Sequence, residues 1–214
     1  MPNDPQRTKW LARTSENFFD KACIDARLTA SPPKHDENGW DFFVEMPPNR
    51  IPNIFLDAQP SPIKFLCQVK ATDDFSSLRL SMKVSNFENL ARTILPAFVV
   101  VIDYRGLDEP QYVYVCHFGN ERISQTLKRM RELQAKNQTQ LNQHEMALSA
   151  KFSEKADFHK QEWLFNEILK HTNIDLSAYT RQKIELLDTL GYNEGRYRRN
   201  YPGPCAGRVS LIPS

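Results

Sequence analysis

Three polar side chains interrupt two of the most apolar segments of the chain. Gln68 and Lys70 lie in the segment IKFLCQVKA, and Asp41 stands at the start of WDFFVEM. Because side chains alternate along a strand, Gln68 and Lys70 point to the same face. An isolated lysine is costly to bury, and a carboxylate such as that of Asp41 is a preferred oxygen ligand of Mg²⁺. The three residues are therefore candidates for a functional site.

The segments that carry these residues predict an α/β fold. Residues 14–28 place apolar side chains near helical spacing, and Ser15 could cap this amphipathic helix. A strand then begins near Asp41, directly after an Asn-Gly turn. A proline-rich loop follows and leads to the strand over residues 63–71.

Farther along, the chain alternates more strands with helices. SSLRLSMKVSN alternates like a strand, FENLARTI predicts a short helix, and AFVVVIDY is the strongest signal for a buried strand. QYVYVCHF predicts its antiparallel partner. From Glu121 onward the pattern is helical, and the polar run QAKNQTQLNQ is either an exposed helix or a flexible linker. We predict a core over residues 1–120 and, over 121–214, a helical extension with a basic tail, packed on the core.

The composition is that of an ordinary globular protein. The chain has 214 residues, 40% of them hydrophobic, and a formal net charge of +2. No apolar run approaches the roughly 20 residues that cross a bilayer, and the start MPNDPQRTKW lacks the apolar stretch of a secretory signal. Four separated cysteines without a C-x-x-C pair fit reduced thiols better than disulfides or structural zinc. We therefore expect a cytoplasmic protein without membrane contact.

The order of these elements and motifs resembles the PD-(D/E)XK, or restriction-endonuclease-like, nuclease superfamily. NGWDFFVE followed by FLCQVKA looks like the D…(E/Q)-x-K signature, and LPAFVVVIDY followed by YVYV is similar to the later strands of small families in that superfamily. The resemblance covers residues 14–118 and implies an αβββαβ core with a mixed central sheet flanked by helices. It also implies Mg²⁺-dependent or Mn²⁺-dependent hydrolysis of DNA, as in nuclease domains of bacterial antiphage and restriction systems.

The resemblance implies a role for each residue of the motif. Asp41 would bind the metal ion, Gln68 would complete the metal site, and Lys70 would stabilise developing charge or help to orient the attacking water. Gln68 departs from the family pattern, in which Asp or Glu is commoner, so the metal site loses a negative charge. Glu16 on the first helix could restore that charge as a further metal ligand. Glu45, four residues along the strand from Asp41, is the alternative carboxylate.

Each residue also has an interpretation without chemistry. Asp41 could cap a turn, Lys70 could extend its ammonium group to water, and Glu16 could be a solvated acid in the first helical turn. The fold could likewise serve as a non-catalytic nucleic-acid-binding or assembly module, an alternative that the neutral Gln68 keeps open. The helices after residue 120 could contact a partner subunit or a regulatory domain, and we expect a homo-oligomer.

Nucleic-acid contact is predicted at the C-terminal segment RYRRNY, which interleaves cations with aromatic rings. Arg196, Arg198 and Arg199 are the candidates, with DNA as the expected partner and RNA as the alternative. A solvated basic tail explains the same residues equally well. The His35-Asp36-Glu37 segment contains H-x-E, but the second cysteine of a zinc deaminase is missing after Cys205. No nucleotide-binding glycine pattern or common hydrolase motif is present.

Overall fold

The computed structural model describes residues 4–34, 39–47, 52–59, 62–172 and 176–189. The helices are α1 (Pro5–Asp25), α2 (Val84–Arg92), α3 (Asn120–Ala135), α4 (Trp163–Thr172) and α5 (Leu176–Asp188). The strands are β1 (Thr29–Ser31), β2 (Phe42–Met46), β3 (Ile63–Thr72), β4 (Arg79–Lys83), β5 (Ala97–Asp103), β6 (Tyr112–His117), β7 (Glu145–Ser149) and β8 (Lys155–Ala156).

Six of the strands form a mixed central sheet in the order β1-β2-β3-β5-β6-β8. β3 and β5 are parallel, and every other neighbouring pair is antiparallel. Parallel neighbours require a crossover connection, and the segment between β3 and β5 supplies it with β4 and α2. The protein therefore has an α/β fold with a mixed central sheet, as the sequence predicts.

β5 is the buried centre of this sheet. All seven of its residues, AFVVVID, are buried, which agrees with the continuous apolar run that marks a strand covered on both faces. β5 pairs with β3 so that Gln68 lies opposite Val99 and Lys70 lies opposite Val101. β6 pairs antiparallel with the other edge of β5, which confirms the predicted hairpin.

Helices cover both faces of the sheet. α1 and α4 pack on one face, where Phe19 and Leu164 join Phe65, Cys67 and Val69 of β3 in one hydrophobic core. The other face is covered by α2, α3 and α5, together with a two-stranded ribbon that consists of β4 and β7. Alternation along β3 therefore directs its even-numbered side chains, among them Gln68 and Lys70, to the face with α2 and the ribbon.

The first helix begins earlier than the sequence predicts. α1 starts at Pro5, and the Asp4 side chain caps it by accepting a hydrogen bond from the backbone N–H of Gln6 at 2.9 Å. Proline suits the first helical position because its missing N–H is not needed there. Ser15 is buried inside the helix, and its hydroxyl donates to the carbonyl of Ala12 at 2.7 Å. The prediction that Ser15 caps the helix is wrong.

The described residues after 120 add strands as well as helices. β7 pairs with β4, with Glu145 opposite Lys83, and β8 pairs with β6 at the edge of the central sheet. The polar run after α3 forms a turn and a short 3-10 helix (Leu141–Gln143) rather than one long helix or a linker. The extension that the sequence predicts as helical thus contains α4 and α5 and also two short strands that complete sheets.

A buried ion pair joins α3 to the connection between β7 and β8. Arg122 donates to both carboxylate oxygens of Glu154, at 2.6 and 2.7 Å. It also donates to the backbone carbonyls of His117 and Ser149, each at 2.7 Å. The Arg122 and Glu154 side chains are 12% and 10% exposed. These four hydrogen bonds anchor the short strands of the C-terminal half to the core.

Helix α5 is attached through buried polar groups. The Tyr179 hydroxyl is hydrogen-bonded to Nε2 of His117 at 2.8 Å. Lys183 is 3% exposed, and its ammonium group donates to the carbonyls of Leu90 and Leu95 at 3.3 and 2.9 Å. Burial lowers the pKa of Lys183 to about 7, from an ordinary value of 10.5. The position of α5 therefore depends on a lysine that is held in an apolar environment.

Candidate functional site

Asp41 directly precedes β2 and is hydrogen-bonded to the neighbouring strand β3. Its backbone N–H donates to the carbonyl of Cys67 at 2.9 Å. Its side-chain oxygen Oδ2 accepts a hydrogen bond from the backbone N–H of Val69 at 2.6 Å. Extending the register of β2 and β3 by one residue places Asp41 opposite Gln68. Asp41 is thus held beside β3 by one hydrogen bond of its carboxylate and one of its backbone.

Gln68 has a buried carbonyl oxygen in need of a partner. The residue is 2% exposed, and among the described residues its Oε1 atom has no hydrogen-bond partner. Leaving a buried polar group unsatisfied costs about 1–3 kcal/mol. A donor or a cation at this oxygen would remove that cost. Gln68 is therefore the residue whose environment most directly points to a ligand.

Two clefts meet at Asp41 and Lys70. The ribbon cleft, about 390 Å³, lies between β3 and the ribbon, and Gln68, Lys83 and Glu145 also line it. The helix cleft, about 580 Å³, runs beside the first half of α1 and extends to Asp73 and Asp74 at the end of β3. Asp41, Lys70 and Ala71 line both clefts and therefore form the boundary between them.

The two alternative carboxylates occupy different places. Glu16 is exposed on α1 and lines the helix cleft together with Asp41 and Lys70. α1 packs on the sheet face opposite Gln68, so Glu16 approaches Asp41 from the other side of the sheet. Glu45 forms an ion pair with Lys64 at 2.9 Å, about 13 Å along the strand from Asp41 at 3.3 Å per residue. Glu16 is therefore the better placed of the two.

Gly39 allows the loop before Asp41 to dock closely on α2. Its φ angle is +69°, and a Cβ atom there would lie 2.8 Å from Nδ2 of Asn89 and 3.3 Å from Cα of Asn86. L-residues rarely adopt such a backbone angle. The glycine that marks a turn in the sequence is thus also a packing contact, and it helps to set the position of Asp41 two residues later.

An ion-pair network closes the far end of the helix cleft. Arg7 donates to both carboxylate oxygens of Asp73, at 3.0 and 2.9 Å, and to Asp108 at 2.9 Å. Its guanidinium group also lies over the ring of Trp10, 4.4 Å from the centroid. The Arg7 guanidinium holds the pKa of Asp73 below its usual range. These contacts fix the start of α1 against the end of β3 and the turn between β5 and β6.

Several residues of the ribbon cleft were missed by sequence reasoning. Trp40 is partly exposed and packs against the hydrophobic core on the ribbon side of the sheet. Asn86, in the first turn of α2, also lines the cleft. Ser81 donates a hydrogen bond to the Glu145 carboxylate. Trp40 could have been noticed because it precedes Asp41 directly. Glu145 could not, because it reaches the cleft through a strand pairing 62 residues away from Lys83 in sequence.

The donor set at this site fits a hard cation. The oxygens of Asp41 and Gln68 are the kind of ligand that Mg²⁺ prefers, and Mg²⁺ usually keeps several waters. Among the described residues, no three His, Cys, Asp or Glu side chains form a group that could hold a metal ion. A cation at this site would therefore depend on the Gln68 oxygen and on water in addition to carboxylates.

The described cysteines are free and buried. Burial raises the pKa of Cys23 and of Cys116 to about 12 and raises that of Cys67 well above its usual value. These three thiols are therefore protonated at neutral pH and unsuited to metal binding or nucleophilic attack. Arg196, Arg198 and Arg199, the predicted nucleic-acid contacts, lie outside the described residues, as do the His35 segment and Cys205.

The fold and site together define an α/β protein with a polar cluster where the start of β2 meets β3, inside a mixed sheet. No helix within the described ranges combines the length and apolar character needed to cross a membrane. Comparison with known proteins gives no match to a family model, to a curated protein or to a solved structure. Function is accordingly inferred from the residues of this chain.

Proposed function

We propose that the protein is a metal-dependent nuclease of the PD-(D/E)XK type, in its Q-x-K variant, which hydrolyses phosphodiester bonds of DNA. One observation carries the proposal. Asp41, Gln68 and Lys70 line a single cleft, in which the Gln68 carbonyl oxygen is buried and has no partner among the described residues. A bound cation would give this oxygen the partner that it lacks.

Asp41 and Gln68 would hold Mg²⁺ or Mn²⁺ in the ribbon cleft, and Glu16, which lines only the helix cleft, would contribute from α1 through water at Asp41 rather than beside Gln68. When bound, such an ion polarises a phosphate oxygen and lowers the pKa of a coordinated water. Asp41 is suited to this task because the Val69 N–H already fixes its carboxylate, so little side-chain freedom is lost on binding. Gln68 adds an oxygen without adding charge, which leaves a less negative site than a second carboxylate would.

Lys70 would stabilise the negative charge that develops on the phosphate. It follows Gln68 by two residues on the same face of β3, is only partly exposed, and lines both clefts. Within the described ranges no ion-pair partner neutralises its ammonium group. A fixed positive charge in a site with limited water acts more strongly than the same charge in solvent.

The test is incubation of the purified protein with plasmid and linear DNA in Mg²⁺, in Mn²⁺ and in chelator. We expect cutting with either metal and none in chelator. Lys70→Ala should lower the rate at least about 100-fold, the scale found when one transition-state donor is removed. Lys64→Ala is the matched control because Lys64 lies six residues earlier on the same face of β3 and is paired with Glu45.

Equal cutting by wild type and Lys70→Ala would overturn the assignment of Lys70. Cutting that persists in chelator would overturn the metal-dependent mechanism. Thermal unfolding of each variant, compared with wild type, separates lost chemistry from lost folding.

A second candidate is a non-catalytic nucleic-acid-binding or assembly module that keeps the nuclease fold. It is favoured by the neutral Gln68 and by the small number of metal-ligating side chains that the described residues bring together. This candidate predicts equal DNA binding with and without Mg²⁺, and no cutting. DNA binding that strengthens with Mg²⁺, followed by cutting, would exclude it.

The biological setting is proposed from the resemblance alone. It is bacterial antiphage defence or restriction in the cytoplasm, with the protein acting as a homo-oligomer or together with a partner subunit or regulatory domain. Mass measurement in solution, with and without DNA, tests the oligomer. Phage plating on cells that carry wild type or Asp41→Asn tests the role in defence.

A further inference from the structure

We infer that the ribbon cleft binds one unstacked nucleotide of a single-stranded segment, with the base against Trp40 and a phosphate at Lys83. The inference rests on the proposed function because it takes the ligand to be nucleic acid. It goes further in naming the form of the substrate. Four features of the cleft support it.

The first feature is size. The ribbon cleft has a volume of about 390 Å³, near the lower end of the range of about 300–1,000 Å³ typical of small-ligand sites. Its walls come from β3 of the central sheet and from the ribbon of β4 and β7, and backbone hydrogen bonds to neighbouring strands hold each wall in place. A nucleotide can enter such a space only after it leaves the base stack, because paired bases lie inside the duplex. Single strands meet this condition without the cost of unpairing.

The second feature is an aromatic ring beside the site. Trp40 directly precedes Asp41, lines the cleft and remains partly exposed while packing against the hydrophobic core. Stacking of a base on an aromatic side chain contributes in a way that tolerates any base sequence. Trp40 and Lys83 line the same cleft, so a base on Trp40 would leave a phosphate of the same nucleotide within this cleft.

The third feature is a helix N-terminus without a side-chain cap, where the backbone N–H of Val84 donates to the carbonyl of His144. Lys83 occupies the N-cap position of the nine-residue helix α2, forms no side-chain cap, and the first turn has no acidic residue. Backbone N–H groups at a helix start attract anions. Lys83 and Asn86 line the cleft at this helix start, so a phosphate there would meet both a lysine and the helix dipole.

The fourth feature is the Gln68 oxygen. It is buried, lines the same cleft and has no partner among the described residues, which indicates that the cleft accommodates a ligand. Glu145 limits where the phosphate can lie, since its carboxylate beside Ser81 would repel an anion. Glu145 lies directly opposite Lys83 in the ribbon, so this repulsion also acts on a phosphate at Lys83, and removal of the Glu145 charge should strengthen binding.

The experiment measures binding of a fluorescein-labelled 12-nucleotide single strand and of a hairpin duplex by anisotropy. Chelator is present so that metal-dependent cutting cannot occur. We expect the single strand to bind at least tenfold more tightly than the duplex. Trp40→Ala should weaken single-strand binding about tenfold, and Trp40→Phe should restore most of it because an aromatic ring remains.

Charge variants test the phosphate position. Lys83→Ala should weaken binding and reduce the slope of log affinity against log salt by about one. Glu145→Gln should strengthen binding because it removes a like charge. Lys136→Ala, an exposed lysine at the end of α3, is the control and should change neither quantity.

Equal affinity for single strand and duplex would overturn the inference, as would unchanged binding in both Trp40→Ala and Lys83→Ala. A parallel cleavage assay in Mg²⁺ keeps this result separate from the proposed function. If wild type and Trp40→Ala both cut duplex and single strand at equal rates, the proposed nuclease activity is supported and the single-strand site at Trp40 is overturned. If single strands bind selectively through Trp40 but no substrate is cut, nucleotide binding in the ribbon cleft is supported and the proposed nuclease activity is overturned.

Discussion

The Asp41 carboxylate accepts a hydrogen bond from the backbone N–H of Val69. This contact joins the start of β2 to β3 just beyond the paired residues Phe42 and Cys67. The same carboxylate thus has a structural contact and a proposed catalytic role. A substitution that keeps the oxygen acceptor but removes the charge can separate these two roles.

Asp41→Asn is that substitution. The asparagine carbonyl can still accept from Val69, so we expect the melting temperature to change by no more than about 4–8 °C, which corresponds to about 1 kcal/mol in a small domain. Binding of Mn²⁺, measured by titration calorimetry, should be lost together with DNA cutting. Asp57→Asn, in an exposed 3-10 turn, is the control. Full Mn²⁺ binding by Asp41→Asn would contradict the assignment of Asp41 as a ligand.

Gly39→Ala should destabilise the protein more than Gly106→Ala. Both glycines have positive φ angles, +69° and +76°, so both substitutions carry the cost of about 1–2 kcal/mol for a left-handed L-residue. Only Gly39 has close neighbours, with Asn89 2.8 Å from the position of the added Cβ and nothing within 4 Å at Gly106. Denaturant unfolding should show Gly39→Ala to be the worse by about 1 kcal/mol or more.

A second substitution, at Asn89, tests whether the close contact with α2 causes the loss of stability in Gly39→Ala. Shortening the neighbour in Gly39→Ala/Asn89→Ala should recover part of the lost stability, because the nearest clash is with a flexible side chain. If the two single glycine variants prove equally stable, the close approach to α2 is not a constraint.

Arg122→Met should lower the free energy of unfolding by about 3–5 kcal/mol, the usual result of removing one partner of a buried ion pair. The loss is large because Glu154 keeps a buried charge, and because two backbone carbonyls lose their donor. Lys160→Ala removes an exposed pair with Asp157 and should cost no more than about 1 kcal/mol. Similar losses in the two variants, measured in urea, would contradict the anchoring role of Arg122.

Lys183 should make stability depend on pH in the alkaline range. Its folded pKa is about 7 and its ordinary value is 10.5, so between these values the unfolded chain binds a proton that the folded chain does not. Stability therefore rises with pH across this window, and the full penalty applies below pH 7. Lys183→Met should flatten the rise measured by urea unfolding between pH 7 and 10, whereas Lys136→Met should leave it unchanged. An identical slope in wild type and Lys183→Met would show that Lys183 keeps an ordinary pKa in the fold.

The parts of the fold that the sequence predicts are those with strong local patterns. Residues 97–102 of β5 form an unbroken apolar run, and strand alternation alone places Gln68 and Lys70 on one face. The N-terminal cap was missed although its signal was present, since Asp4 precedes Pro5 in a typical helix start. The apolar side chains at helical spacing lie after Ser15, and this pattern favours a helix start at that residue.

The remaining features depend on pairings between distant residues. Arg7 and Asp73 are 66 residues apart, and each is an ordinary surface residue by type. β7 and β8 are short and partly polar, so their strand character comes from β4 and β6 rather than from their own sequence. The ribbon wall of the candidate site, with Glu145 in it, could therefore not be predicted from local pattern.

Because β7 and β8 come from the last third of the chain, the two halves of the sequence cannot be separated without exposing unpaired strands. A chain ending at residue 120 would leave β4 without its partner and turn β6 into an open sheet edge. Open edges recruit further strands and promote aggregation. The shortest version of this protein suitable for expression therefore extends beyond β8, and isolation of the half that carries Asp41, Gln68 and Lys70 should yield insoluble material rather than a folded fragment.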